Sequence, residues 1–139
     1  MMKPTLAFVA LALVASACEP FGDKDKENLK KACAGAPATL HQRPAALKQF
    51  PDAKGIYYVG VQRKGPATVA TGYLNTTIGP AHQAYARALK SKAGYQVTKE
   101  EQDAADSEVN FSGFGTSGQV KMVQECKSRT NVTITIRPS

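Results

Sequence analysis

The clearest pattern in the chain is its last one. Val132, Ile134 and Ile136 alternate with Thr133, Thr135 and Arg137. A period of two puts successive side chains on opposite faces of a strand, so NVTITIRP reads as a half-buried strand. In SGQVKMVQEC, Val120, Met122 and Cys126 keep one phase, which predicts a second strand with Cys126 on the buried side. Upstream, GIYYVGVQ and ATVATGYLN are dense in β-branched and aromatic residues and flank the turn sequence RKGP, which predicts a hairpin. Between the two regions lie YQVTKEE and SEVNFSG, read as two pieces of one further strand interrupted by QDAAD.

Two stretches carry the helical period instead. Ala81, Ala84, Tyr85, Ala88 and Leu89 share one face at helical spacing, with Pro80 expected at the first position of that helix and Gly94 as its stop. DKDKENLKKACAG predicts a short helix with acids in its first turn and Lys30 and Lys31 in its last, an order that complements the helix dipole. Its inward stripe would be Leu29, Ala32 and Cys33. Residues 36–55, punctuated by Pro37, Pro44 and Pro51, read as irregular. The order α-β-β-α-β-β-β predicts an α+β domain over residues 25–139, an antiparallel sheet of about five strands with helices on one face.

The N-terminal pattern is of another kind. Lys3 precedes an apolar run from Leu6 to Val14, too short to span a bilayer, and Ala15 and Ala17 supply small side chains before a cleavage point. Residues 1–17 therefore read as an export signal and residues 18–24 as a short tether. The sequence VASAC, ending at Cys18, resembles the lipobox of bacterial envelope lipoproteins. That resemblance implies lipidation of Cys18, a palmitate-type acyl anchor and a place on the extracytoplasmic side of the cell membrane. ASA before the cut also suits ordinary signal peptidase, which would leave a soluble secreted protein. The β-β-α-β-β-β portion likewise resembles small envelope lipoproteins, a likeness of topology that implies no activity.

Cysteine count bears on the choice. The chain has three cysteines, at positions 18, 33 and 126. An oxidising compartment leaves an odd thiol to be explained. Lipid on Cys18 would allow Cys33 and Cys126 to form a disulfide with nothing left over.

Charge narrows the partners. The chain carries 18 basic and 11 acidic residues, and loss of residues 1–17 would remove only Lys3, leaving 17 − 11 = +6. Such a balance suits an anionic membrane surface, an anionic envelope polymer or a protein partner. The basic residues form no dense run, which argues against nucleic acid.

Candidate chemistry is sparse. GFGTSG at 113–118 matches a dinucleotide fingerprint in letters, but strand character on both sides predicts a glycine-rich hairpin turn. KEEQDAADSE lacks the central glycine of a calcium loop and reads as a solvated acidic loop. His41 and His82 offer no metal-ligand spacing, and His82, off the Ala84/Leu89 stripe, is expected at a solvated helix position. No cofactor and no catalytic residue is assigned. The functional expectation is a non-catalytic binding or interaction module. The alternatives are a soluble exported inhibitor or structural accessory, and an envelope enzyme using His82 with an unidentified carboxylate. A ligand surface is expected from Tyr57, Arg63, Lys64 and Arg87, since adjacent tyrosines in a strand face opposite sides and Tyr57 or Tyr58 must look outward.

Overall fold

The computed structural model describes residues 27–139. Within them six strands form one antiparallel sheet: β1 (Tyr57–Lys64), β2 (Ala67–Leu74), β3 (Tyr95–Gln102), β4 (Asp106–Gly113), β5 (Thr116–Cys126) and β6 (Arg129–Pro138). One α-helix, α1 (Ile78–Ser91), links β2 to β3. The spatial order is β1-β2-β6-β5-β4-β3. The α+β expectation of an antiparallel sheet with helical cover on one face is met.

The strand count and order differ from the expectation. YQVTKEE and SEVNFSG are two strands, not two pieces of one. Asp103 N–H donates to Asp106 C=O at 2.8 Å, closing the turn that reverses the chain between them. The alternation of Ser107, Val109 and Phe111, all buried, marks β4 as a half-buried strand in its own right. Strand β3 is the charged edge, with Lys99, Glu100 and Glu101, which discourages further pairing.

The first helix is corrected too. Its residues 23–26 lie outside the described part. In the rest, Lys30 and Lys31 N–H both donate to Glu27 C=O, one turn forms, and the helix goes no further. A segment this short with so few apolar residues has little to hold it helical, and tertiary bonds claim the chain beyond it. Lys31 C=O accepts from Lys127 N–H at 2.8 Å and Ala34 C=O from Arg129 Nη2 at 2.6 Å. Cys33 is therefore presented by an extended strap and not by a helical stripe. It lies at disulfide distance from Cys126, with Cα atoms 5.1 Å apart across 93 residues of sequence.

Residues 31–56 form a belt around the β1 edge. The first part runs over Tyr73, which by strand alternation faces away from the helix, with Pro37 alongside Tyr73, Thr71 and Asn131. Leu40 N–H then donates to Tyr58 C=O at 2.8 Å, covering part of the β1 edge. The second part crosses to the helix side, where a 3-10 turn at Ala45–Leu47 precedes Phe50 and Ala53. Leu47, Phe50 and Ala53 are buried with Tyr85, Leu89, Val109, Phe111, Val120, Met122, Val132 and Ile134. Phe50 makes ring contacts with Tyr85, Tyr95 and Phe111 at centroid distances of 6.3, 6.0 and 5.2 Å. The Pro-rich stretch thus completes the core that the helix between β2 and β3 alone leaves open.

Helix α1 starts at Ile78, so Pro80 is its third residue rather than its first. The Thr77 side chain makes no capping bond. Gln124 Oε1, from β5, accepts the Ile78 N–H at 3.2 Å instead. The hairpin reading of GFGTSG holds: Phe114 and Gly115, with φ of 51° and 69°, join β4 to β5, as a two-residue primed turn requires.

Candidate functional site

Tyr57 and Tyr58 divide as strand alternation demands. Tyr58 is buried, and Tyr57 is exposed at 47 %. Between Tyr57 and the belt lies an open cleft of about 220 Å³ at the β1 edge, walled by Leu40, His41, Arg43, Asp52, Ile56 and Tyr58. The belt turns there because Pro44 ends the extended stretch and starts the 3-10 turn.

The floor of this cleft is a closed hydrogen-bond network. Arg43 Nε and Nη2 donate to Asp52 Oδ2 and Oδ1 at 2.6 and 3.1 Å, a two-pronged pair. Arg43 Nη2 also donates to Phe50 C=O, and the Tyr58 hydroxyl donates to Asp52 Oδ1. Burial, with the Asp52 carboxylate next in size, pushes the Tyr58 hydroxyl far above the ordinary tyrosine range, so it stays a donor. The Asp52 bond raises Arg43, which stays cationic. The network fixes the cleft's shape and offers no loosely held acid or base.

Tyr57 is also the outer member of a ladder. It stacks on Tyr73 at 5.2 Å, and the Arg129 guanidinium lies 5.5 Å from the Tyr73 ring centre on a buried side chain. Of the four residues expected to form a ligand surface, this places Tyr57 in a cleft. It does not bring the other three to it. Arg63 and Lys64 end β1, six and seven residues on, roughly 20 Å away at strand rise. Arg87 is on the exposed side of α1 and bonds Gln83 at 3.5 Å. Arg43, Asp52 and Tyr73 belong to the site, and sequence reasoning does not reach them. Arg43 and Asp52 sit in a stretch with no periodicity, where only the fold makes them neighbours.

His82 overturns its expectation. It is 7 % exposed, sandwiched between α1 and the β3–β4 hairpin. Its Nδ1 is hydrogen-bonded to Ser107 Oγ, and its Nε2 lies 2.9 Å from Glu100 Oε1. With the proton on Nε2, the ring donates to Glu100 and accepts from the Ser107 hydroxyl. Glu100 Oε2 accepts from Lys90 at 2.7 Å, and this bond is the main cause of its lowered pKa. A serine, a histidine and a carboxylate in line have the makeup of a hydrolytic triad. Ser107, however, is 2 % exposed, under the helix, where a substrate carbonyl has no approach.

Among the described residues no group of three or more His, Cys, Asp or Glu side chains is placed to hold a metal. No described helix is long and apolar enough to cross a membrane. No family model, no curated protein and no solved structure matches the chain.

Proposed function

We propose that this chain is a lipid-anchored binding module of a bacterial cell envelope, held through Cys18 and using the Tyr57 cleft to recognise its ligand. The observation that carries the reading is the partnership of the other two cysteines. Cys33 and Cys126 sit at disulfide distance, so a single cysteine is left, and it is the one that closes VASAC. Export and lipidation account for all three without a stray thiol. Supporting the binding role over a hydrolytic one is the enclosure of Ser107 and His82, whose bonds knit helix to sheet. The rigid floor of Arg43, Asp52 and Tyr58 beneath an exposed aromatic suits a preformed recognition site.

The test is intact-mass analysis of protein from a bacterial membrane fraction. The expected product starts at Cys18, carries diacylglycerol and has lost two hydrogens to one disulfide. Cys18→Ser should appear in the soluble fraction. An unmodified mass from Cys18 onward would replace this reading with the soluble exported one.

A further inference from the structure

The two ends of the sheet are unlike. The end where the described chain enters, beside the β5–β6 turn, holds the Cys33–Cys126 pair, Arg129 and the Tyr57 cleft. The opposite end gathers the β1–β2 turn, the β4–β5 turn, the start of β3 and the end of β6. Register aligns them: Arg63 is opposite Thr68, Thr68 opposite Ile136, Arg137 opposite Ser117, Thr116 opposite Gly113, and Gly113 opposite Tyr95. Six strands at about 4.8 Å make this a front roughly 24 Å wide.

The front carries Lys48, Arg63, Lys64, Lys92 and Arg137, none with a carboxylate in salt-bridge reach among the described residues. The strand carboxylates lie further along: Glu100 is opposite Val109, Glu108 opposite Lys121 and Asp106 opposite Val123. Ser139 N–H donates to Gly115 C=O at 2.9 Å, which ties the residue after β6 to the β4–β5 turn.

In the β4–β5 turn, toward the β3 side of this front, stands Phe114, 49 % exposed. Its φ of 51° is one that bulky side chains avoid, at the turn position where Asn, Asp or Gly is preferred. Phe114 packs edge-on to Tyr95 at 5.0 Å and above Gly94, where a Cβ would come within 2.7 Å of the ring. Beside it opens a mainly apolar groove of about 250 Å³, walled by Phe50, Tyr95, Phe114, Thr116, Ile136 and the Lys48 stem. Backbone strain kept at an exposed aromatic beside an open groove points to use of that aromatic.

From these features we infer that this front is a second interaction surface, which takes an acidic polypeptide segment with one apolar anchor residue. The groove has room for one large side chain. Lys48 at the groove wall and Lys92 just before β3 complement flanking carboxylates, which steer such a segment and set its orientation, while Arg137, next to Ile136 on β6, faces the other side of the sheet. A saccharide fits less well, because the groove wall has no carboxylate or carboxamide pair for its hydroxyls apart from Gln49. The inference rests on the binding-module reading but not on the anchor, and it uses a different part of the molecule from the Tyr57 cleft.

The experiment is amide NMR of the full-length isotope-labelled protein in detergent, titrated with the peptide Glu-Asp-Leu-Asp-Glu. The expected shifts cluster at Lys48, Gly94, Tyr95, Phe114 and Thr116 and weaken as salt rises. Phe114→Asn creates an Asn-Gly turn of the preferred type. It should keep or raise the melting temperature while weakening the peptide about tenfold or more, as loss of an anchoring aromatic does. Lys48→Glu with Lys92→Glu should weaken it with the fold unchanged. A Phe114→Asn variant that melts well below the parent would make Phe114 a packing residue and overturn the inference. So would equal shifts from Lys-Lys-Leu-Lys-Lys or Glu-Asp-Ala-Asp-Glu, or a response only to an acidic oligouronate. Shifts confined to Leu40, Arg43 and Tyr57 would overturn it while upholding the cleft, and the mass measurement judges the anchor separately.

Discussion

His82 shows how much a single residue's role depends on what faces it. On its own helix it falls beside the apolar stripe, and the pattern alone sends it to solvent. In the fold Ser107 and Glu100 occupy the space in front of it, and both ring nitrogens are used. Removing the ring strands a buried hydroxyl and opens a hole between α1 and the β3–β4 hairpin. His82→Ala is therefore expected to lose about 2–4 kcal/mol, the sum of an unpaired buried polar group and a small cavity. Urea denaturation followed by circular dichroism reads this directly. A loss under about 0.5 kcal/mol, the scale of surface substitutions, would return the residue to the surface role its sequence context suggests. Tyr57 and Tyr58 are the counterexample, since alternation alone separates them and the structure only decides which one is inside.

Among the elements, α1 is the one whose start departs from its sequence signal. Pro80 is suited to a first turn, but Ile78 already has a partner for its N–H in Gln124, a buried side chain that reaches across from β5. The same side chain donates from Nε2 to Cys126 C=O at 3.1 Å, and Gln124 N–H donates to Ala105 C=O at 2.8 Å. One residue thus ties the helix N-terminus, the bulge near Cys126 and the β3–β4 turn together. Gln124→Ala should cost about 1–3 kcal/mol, in the range of a lost cap plus an orphaned buried group. Hydrogen exchange should show the loss first at the amides of Ile78, Gly79 and Ala81. Uniform exchange across the sheet, with the helix start unaffected, would show that the helix does not depend on this cap. The β1–β2 and β4–β5 hairpins need no such help. Gly65 in RKGP and Gly115 in GFG supply positive φ at their turns, and both turns form where the pattern put them.

At the scale of the whole molecule, the belt decides stability. Residues 31–56 contribute Leu47, Phe50 and Ala53 to the core and are held at their start by Cys33. A bridge closing a loop of this length contributes about 4–5 kcal/mol in the chain-entropy account, less any native strain. Small domains total roughly 5–15 kcal/mol. Cys33→Ser with Cys126→Ser is expected to lower the melting temperature by about 10 °C or more, since a domain of this size falls between slopes of about 4–8 and about 2–4 °C per kcal/mol. Exchange should speed up first at residues 31–40. Non-reducing peptide mapping gives the pairing, and a Cys18–Cys33 link in place of the Cys33–Cys126 one would remove the cysteine argument for the anchor.

The sequence by itself determined the α+β class, the central helix and every strand except the division of β3 from β4, because periods of two and of 3.6 are properties of neighbouring residues along a chain. Val132, Ile134 and Ile136 point inward whatever packs on them. It also placed Cys126 on the buried face. The tertiary structure alone decided that β6 returns beside β2, that a proline-rich belt adds Leu47, Phe50 and Ala53 to the cover of the core, and that Cys33 meets Cys126 without a helix to carry it. Arg43 with Asp52, and His82 with Ser107 and Glu100, are of the same kind. The partners, 9, 25 and 18 residues apart, share no helix or strand, so no single helix or strand period relates them. Their meeting is fixed by strand order and by where the chain crosses an edge, and neither leaves a trace in local spacing.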